Sequence, residues 1–484
     1  MSSYRTEKDS LGTKQVPSDA YYGIQTLRAL ENFPVSGLKA HPSLIRAYAS
    51  IKKACALANS ELGLLDKKIA LAITKACDEI LEGKWPHHLL AKPGQRPEGA
   101  QQVVGWRDQF VIDVFQAGAG TSFNMNMNEV IANRALEILG KKKGNYKTVH
   151  PNDHVNMAQS TNDTYPTATH LAALLQSREL LPVLHSLEKS LLKKSQEFKN
   201  VLKSARTHLQ DAVPITLGQE FKAYAEAIQK SSREIQRRGE LLEEIALGGT
   251  AAGTGANTAP GFREKAVAHL GRITGLKLKT PSDARMALQS HWPLVAFSNA
   301  LKELALELIR IANDLRLLAS GPTTGFAEII LPAVQPGSSI MPGKVNPSLA
   351  ECLNMICFQI IGNSLAVDLA AQAGQLDLNV MTPLTAHNLI TSTQLFINFL
   401  PVFSKKCIQG IKVDREKCEE YFGKSLSLAA LLNPKIGYAK AAEVFKEALS
   451  RKKTIREVVL EKKLLTAEEL NKLFDPQKVT GPLN

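Results

Sequence analysis

Two stretches long enough for several helical turns carry no charged side chain: Cys352 to Val367 and Leu378 to Ser404. A helix with no charge to turn towards water must be covered on all sides, by lipid or by the middle of a thick bundle. The second stretch holds Pro383, Pro401, His387, three Asn and several Thr, a mixture that a lipid-facing helix rarely carries. A bundle is therefore the better reading, and the pattern predicts one thickened by further copies of the chain. Leu180, Leu181, Leu184, Leu187, Leu191 and Leu192 recur at helical spacing, followed by Phe198, Val201 and Leu202; Leu301, Leu304, Leu308, Ile311, Leu315 and Leu318 repeat the pattern. Few segments alternate as strands do, so the expected fold is mostly α.

At 484 residues the chain has room for about three structural units. The expected divisions are a mixed, mainly helical segment over 1–152, a helical bundle over 153–403 and a small, charged helical segment over 404–484. Within the first, Leu44 to Leu65 and Lys67 to Ile80 read as amphipathic helices, and the Pro- and Gly-rich residues 85–107 read as a loop. Within the last, Thr466-Ala-Glu-Glu469 is a capping box that opens a helix.

The net charge is +13, spread along the chain rather than gathered in a tail or stripe. That distribution favours a solvated lysine-rich surface, or a positive field around a small anion, over a nucleic-acid face. The six cysteines form neither a C-x-x-C pair nor zinc-finger spacing. Scattered thiols and a polar N-terminus with no signal peptide point to a cytoplasmic chain with no membrane partner.

Four polar clusters carry the chemistry. Gly337-Ser-Ser-Ile-Met-Pro-Gly-Lys-Val-Asn346 is a loop by its Gly and Pro content. It offers hydroxyls, backbone N–H groups, an ammonium and an amide within ten residues, an inventory suited to holding a carboxylate beside a serine. Gly118-Ala-Gly-Thr-Ser-Phe-Asn124, Gln159-Ser-Thr-Asn-Asp163 and Arg206-Thr-His-Leu-Gln-Asp211 are moderate helix formers at best, set between apolar helical runs. They suggest polar groups converging at helix ends. Gly248-Gly-Thr-Ala-Ala-Gly-Thr-Gly255 tempts a phosphate-loop reading, but it lacks the Lys-Ser/Thr of that motif and follows a helical run rather than a strand.

The Gly337 to Asn346 run resembles the signature G-S-S-x-M-P-x-K-x-N of the aspartase/fumarase superfamily. The likeness extends from Arg5 to Phe33, through the other polar clusters and Leu376-Asp-Leu-Asn-Val-Met381, to Leu432-Asn-Pro-Lys-Ile-Gly-Tyr438. Thr161, Ala119 and Ser122 stand where the aspartase branch reads Q-S-T-N-D and G-A-G-T-S; fumarases read Q-S-S-N-D and G-S-G-T-Q. The resemblance implies a three-domain, mostly α fold whose central helices form a multi-helix core in a homotetramer, with active sites shared between subunits. It implies reversible elimination of ammonia from L-aspartate to give fumarate, with no organic cofactor and no metal ligand set. It assigns the base to Ser338 and the β-carboxylate to Thr121, Ser160, Thr161 and Ser339. Lys344 and Asn346 would take the α-carboxylate; Asn162, Thr207 and His208 would lie near the leaving amino group, with His208 also orienting or protonating. Class II fumarase is the alternative reading, a catalytically silent member a further one. The chain departs from the pattern at residues 85–107, which stand between Lys84 and Asp108 where the family passes almost directly across.

Overall fold

The computed structural model describes residues 4–83 and 106–481. The expected loop over 85–107 falls almost wholly outside them. A short antiparallel hairpin, β1 (Tyr4–Asp9) and β2 (Gly12–Pro17), opens the chain. The helices α1 (Ile24–Asn32), α2 (Pro42–Glu61) and α3 (Lys67–Glu82) follow. The last two match the amphipathic runs read from the sequence. Their ends are set locally. Pro42 sits at the first position of α2, where its missing N–H costs nothing. Asp66 accepts the N–H groups of Lys68 and Ile69 ahead of α3, which stops at Gly83 in the left-handed region.

Beyond Gln109 come α4 (Thr121–Ile138) and α5 (Thr161–Glu197). Strands β3 (Leu202–Thr207) and β4 (Gln210–Thr216) then pair antiparallel. This hairpin corrects the sequence reading at two points: Leu202 belongs to a strand rather than a continuing helix, and the Arg206 to Asp211 cluster surrounds a β-turn rather than a helix end. Next are α6 (Leu217–Gly239), α7 (Phe262–Thr274), α8 (Ala284–Gln289), α9 (Trp292–Leu318), α10 (Ser348–Gln372) and α11 (Thr382–Lys406). Strands β5 (Ile329–Ile330) and β6 (Lys412–Val413) form a third small pair. Short helices complete the chain, among them the one over Ala467–Leu473 with the expected capping box at Thr466 and Glu469.

Contacts divide the molecule into two compact units. One comprises residues 1–180, 234–302 and 359–395; the other comprises 181–233, 303–358 and 396–484. In the first, α2 packs on α3 and α7, and α4 on α1 and α3. Gln176 of α5 bonds Gln394 of α11, and Asn363 of α10 bonds Ser392 of α11. In the second, Glu188 of α5 meets Gln229 of α6, Asp314 of α9 meets Tyr224 of α6, and Ser190 meets Ser404 of α11.

The helix α10 is long and apolar enough to cross a bilayer by length and composition. One face buries Leu353, Cys357, Ile360 and Val367. The opposite stripe, Met355, Phe358, Leu365 and Leu369, is 57–63% exposed. With Gly362 between them, these residues repeat every three and four positions, the seam of a helix that pairs with another helix.

Candidate functional site

In the first unit, two of the residues expected to take a carboxylate sit where two helices begin: Thr121 opens α4 and Thr161 opens α5. The first turn of a helix carries unpaired N–H groups and the positive end of the helix dipole, so both places favour an anion. The approach to Thr121 is a tight turn, with Ala119 at φ 61° and Gly120 at φ 81°. The Ala119 N–H is fixed on the Val380 carbonyl at 2.7 Å. A Cβ on Gly120 would lie 2.0 Å from the Tyr165 ring, so glycine is required there.

The run before α5 is tied down from below. Asp163, fully buried, accepts the N–H groups of Ser160 (3.0 Å), Gly248 (3.0 Å) and Thr250 (2.9 Å). The amide nitrogen of Asn162 donates to the Ala251 carbonyl at 2.8 Å. Two N–H donors of the Gly248 to Gly255 run, those of Gly248 and Thr250, thus hold a carboxylate of the chain itself, and its glycines answer to close packing: a Cβ on Gly253 would lie 2.4 Å from the Arg285 backbone nitrogen and one on Gly248 2.7 Å from the Arg263 side chain. Burial pushes the Asp163 carboxyl up to about 7 against the pull of those three donors.

Behind the same run lies Lys52 of α2, with no exposed surface. Its ammonium donates to the amide oxygens of Asn124 (2.8 Å), Asn156 (2.9 Å) and Gln159 (2.9 Å). The Asn124 amide nitrogen in turn donates to Thr161 Oγ1 at 2.9 Å. Burial drives the Lys52 ammonium down to about 7, while its three acceptors favour the charged form.

In the second unit, Thr207 and His208 are exposed at the tip of the β3–β4 hairpin. His208 and Leu209 both take positive φ, 57° and 58°. A turn with two such residues normally uses Asn or Gly, and placing side chains there stores strain of about 1 kcal/mol each. The strand leading to them is anchored by charge. The buried Glu328 pairs with Lys203 at 3.0 Å and Arg206 at 2.9 Å. The Arg206 guanidinium also stacks over Phe326, 4.2 Å from the ring centre.

The signature segment is a loop, as its composition predicts. Asn346 closes it by donating to the Gly337 carbonyl at 2.5 Å. A Cβ on Gly337 would sit 2.1 Å from the Lys344 carbonyl oxygen. Ser338 Oγ accepts two backbone N–H groups, from Ile340 at 3.2 Å and Met341 at 3.0 Å. Ser339 and Lys344 are exposed, and Lys344 makes no ion pair among the described residues. Lys344 and Asn346 line a cleft of about 690 Å³ together with Arg316, Ser320, Lys412 and Asp414.

Each unit therefore gathers part of the expected set. Ser160, Thr161 and Asn162 are contiguous in the first, and Asn124 links Thr161 to the helix that Thr121 begins. The loop of Ser338, Ser339, Lys344 and Asn346 belongs to the second, as does the hairpin tip of Thr207 and His208. Sequence reasoning passed over Lys52, Lys203 and Glu328, and gave Asp163 and Arg206, though quoted in its polar runs, no role of their own. Lys52 did leave a signal: it falls on the same helical stripe as Tyr48, Cys55 and Asn59, all buried. Among the described residues no three His, Cys, Asp or Glu side chains gather as metal ligands.

The chain matches the lyase family model over residues 12–102 and 98–362, and the model of the fumarase C C-terminus over 428–481. It is 46% identical to aspartate ammonia-lyase of a Bacillus species, over 99% of this chain and 98% of that one. It is 44% identical to the class II fumarate hydratase of Thermosynechococcus vestitus, over 97% and 96%. A crystal structure of the fumarate lyase:delta crystallin from Brucella melitensis, bound to cobalt, superposes with a TM-score of 0.92 at 46% identity, covering 99% of this chain and all of that one. The recombinant class II fumarase of Schistosoma mansoni gives 0.91 at 38% identity, covering both chains completely. The overall helical architecture is thus shared, and the chain belongs to the aspartase/fumarase superfamily, as a lyase of its carbon–nitrogen branch.

Proposed function

We propose that the protein is an aspartate ammonia-lyase, eliminating ammonia from L-aspartate to give fumarate, reversibly. The difficult step is removal of a weakly acidic proton from Cβ. The electron pair left behind is bearable only when pushed onto the β-carboxylate as an aci-carboxylate, so many donors must converge on that group. Thr121, Ser160, Thr161 and Ser339 supply them, the first three beside helix N-termini. Lys344 and Asn346 hold the α-carboxylate. The Cβ proton passes to Ser338 Oγ in its alkoxide form, regenerating the hydroxyl; the electron pair then returns to form the Cα–Cβ double bond, the C–N bond breaks with its pair staying on nitrogen, and the substrate's ammonium group leaves as ammonia past Asn162, Thr207 and His208.

The observation that carries this reading is the setting of Ser338. A serine hydroxyl is a poor base, and its alkoxide needs donors already in place. Two backbone N–H groups point at its Oγ, on the loop that also carries Lys344. Thr161, Ala119 and Ser122 favour the aspartase side over fumarase. The test follows absorbance growth from fumarate with L-aspartate and, separately, with L-malate as sole substrate. Activity on L-aspartate is expected; activity on L-malate alone assigns the fumarase reaction instead.

We further propose a cytoplasmic homotetramer in which each site draws on more than one chain. The exposed apolar seam on α10 supports this, because Met355, Phe358, Leu365 and Leu369 form one stripe at helix-pairing spacing. Light scattering should give a mass near four chains. Mixed inactive Ser338→Ala and His208→Ala chains should recover some turnover; a stable, active monomer overturns the assembly.

A further inference from the structure

We propose that Lys52 is a positioning residue for the reaction: acting through Asn124, it sets the direction of the Thr161 hydroxyl proton so that this hydroxyl serves as a donor to the substrate carboxylate. The inference rests on the reading of Thr161 as a carboxylate ligand.

The argument is one of hydrogen-bond polarity. An ammonium has three N–H donors and no acceptor. Lys52 spends all three on amide oxygens, from Asn124, Asn156 and Gln159. The orientation of the Asn124 amide is therefore decided, with its oxygen facing Lys52 and its nitrogen facing away. That nitrogen donates to Asn156 Oδ1 at 3.3 Å and to Thr161 Oγ1 at 2.9 Å. Thr161 Oγ1 is an acceptor in this bond, so its own proton points elsewhere. Among the described residues no acceptor takes that proton, although Thr161 is only 9% exposed. The hydroxyl is left with one unused donor at the N-terminus of α5, where an anion is favoured. Each link polarises the next, so a buried cation that never touches substrate strengthens the donor that does.

A carboxylate in place of the Asn124 amide reverses the last link. Asn124→Asp keeps an acceptor for Lys52 but has no N–H for Thr161, whose proton turns towards the new carboxylate. The experiment is a double-mutant cycle on kcat/KM for L-aspartate, with competitive inhibition by succinate measured alongside. Asn124→Asp alone is expected to lower kcat/KM by about 50-fold and to weaken succinate by about tenfold, the scale of a lost hydrogen bond to a charged group. In a Thr161→Ala background the same change should cost less than about twofold, because the hydroxyl it misdirects is gone. Should Asn124→Asp not fold, Lys52→Met in the same two backgrounds reads the same coupling. Equal losses in both backgrounds, or no loss in either, overturn the positioning role. A wild-type enzyme without turnover of L-aspartate overturns the functional reading, and the inference falls with it.

Discussion

The Ser160 to Asp163 run and the Gly337 to Asn346 loop are both short, polar and expected to hold a carboxylate, yet they are secured in opposite ways. The first is tied from outside itself: Asp163 to two N–H groups of the glycine run, Asn162 to Ala251, Thr161 to Asn124, Gln159 to Lys52. The second bonds to itself. Asn346 reaches Gly337, Ser338 takes N–H groups two and three residues ahead, and the Lys344 N–H meets the Met341 carbonyl at 3.3 Å. Most of its residues are exposed. A segment held from outside is preorganised and expensive to disturb. A segment that carries its own bonds keeps its internal geometry while it moves, which suits a loop that must admit substrate and then present a base.

The sharpest way to break this contrast is Ser338→Ala. Turnover should fall at least about a thousandfold, the scale of losing a nucleophile or base that acts in the transition state. The melting temperature should stay within about 2 °C, because only two partly solvated N–H groups lose their acceptor. Near-normal turnover removes Ser338 from the chemistry; a large drop in melting temperature means that the loop bears on the fold after all.

Lys344 probes the same loop with a smaller effect. Lys344→Ala removes the cation beside a carboxylate, and kcat/KM should fall about a hundredfold, or a few kcal/mol. Lys344→Arg should restore less than a tenth of the loss, since a planar fork cannot replace a compact ammonium in a fitted site. Full rescue by Arg would mean that the cleft is roomy and the cation acts only at a distance.

The two regions also differ in how far the sequence disclosed them. The loop was legible because its glycines, proline, serines and lysine are adjacent in the chain, and a local inventory becomes a local structure. The long helices were legible from leucine spacing, and the capping box at Thr466 from four letters. What stayed hidden is made by residues far apart. Lys52 meets Asn124, Asn156 and Gln159 across some 70 to 110 positions, and Asp163 meets Gly248 across 85. No periodicity encodes such pairings; only the tertiary fold does. The β3–β4 hairpin was missed for a different reason. Phe198, Val201 and Leu202 continue the helical spacing of α5, while the strand that follows, Lys203-Ser-Ala-Arg-Thr207, has almost no apolar alternation to announce it. The first of its strands is anchored instead by Glu328, which pairs with both Lys203 and Arg206, again a long-range bond.

The smallest effect expected is in the pH dependence of stability, and it arises in the compact unit that holds the Ser160 to Asp163 run rather than in the unit of the Ser338 loop. Glu129, on α4 beyond Thr121, is 2% exposed. It accepts the N–H groups of Gly23 (2.8 Å), Gln25 (2.9 Å) and Thr26 (3.1 Å) and the Thr26 hydroxyl (2.6 Å). Burial pushes its carboxyl up to about 7 in spite of those donors. As pH rises above the ordinary carboxylate value near 4.5, the unfolded chain releases this proton while the folded chain keeps it. The folded state then binds more protons, so this group's contribution falls with rising pH by at most about 1.4 kcal/mol per unit, and levels off above pH 7. Denaturant midpoints measured from pH 4.5 to 7 should show that decline in the wild type relative to Glu129→Gln, which has nothing to titrate there. The same series on Ser338→Ala should track the wild type. A Glu129→Gln profile parallel to the wild type would place the group's titration outside this window, and would remove its proton from the account of how this unit's stability varies with pH.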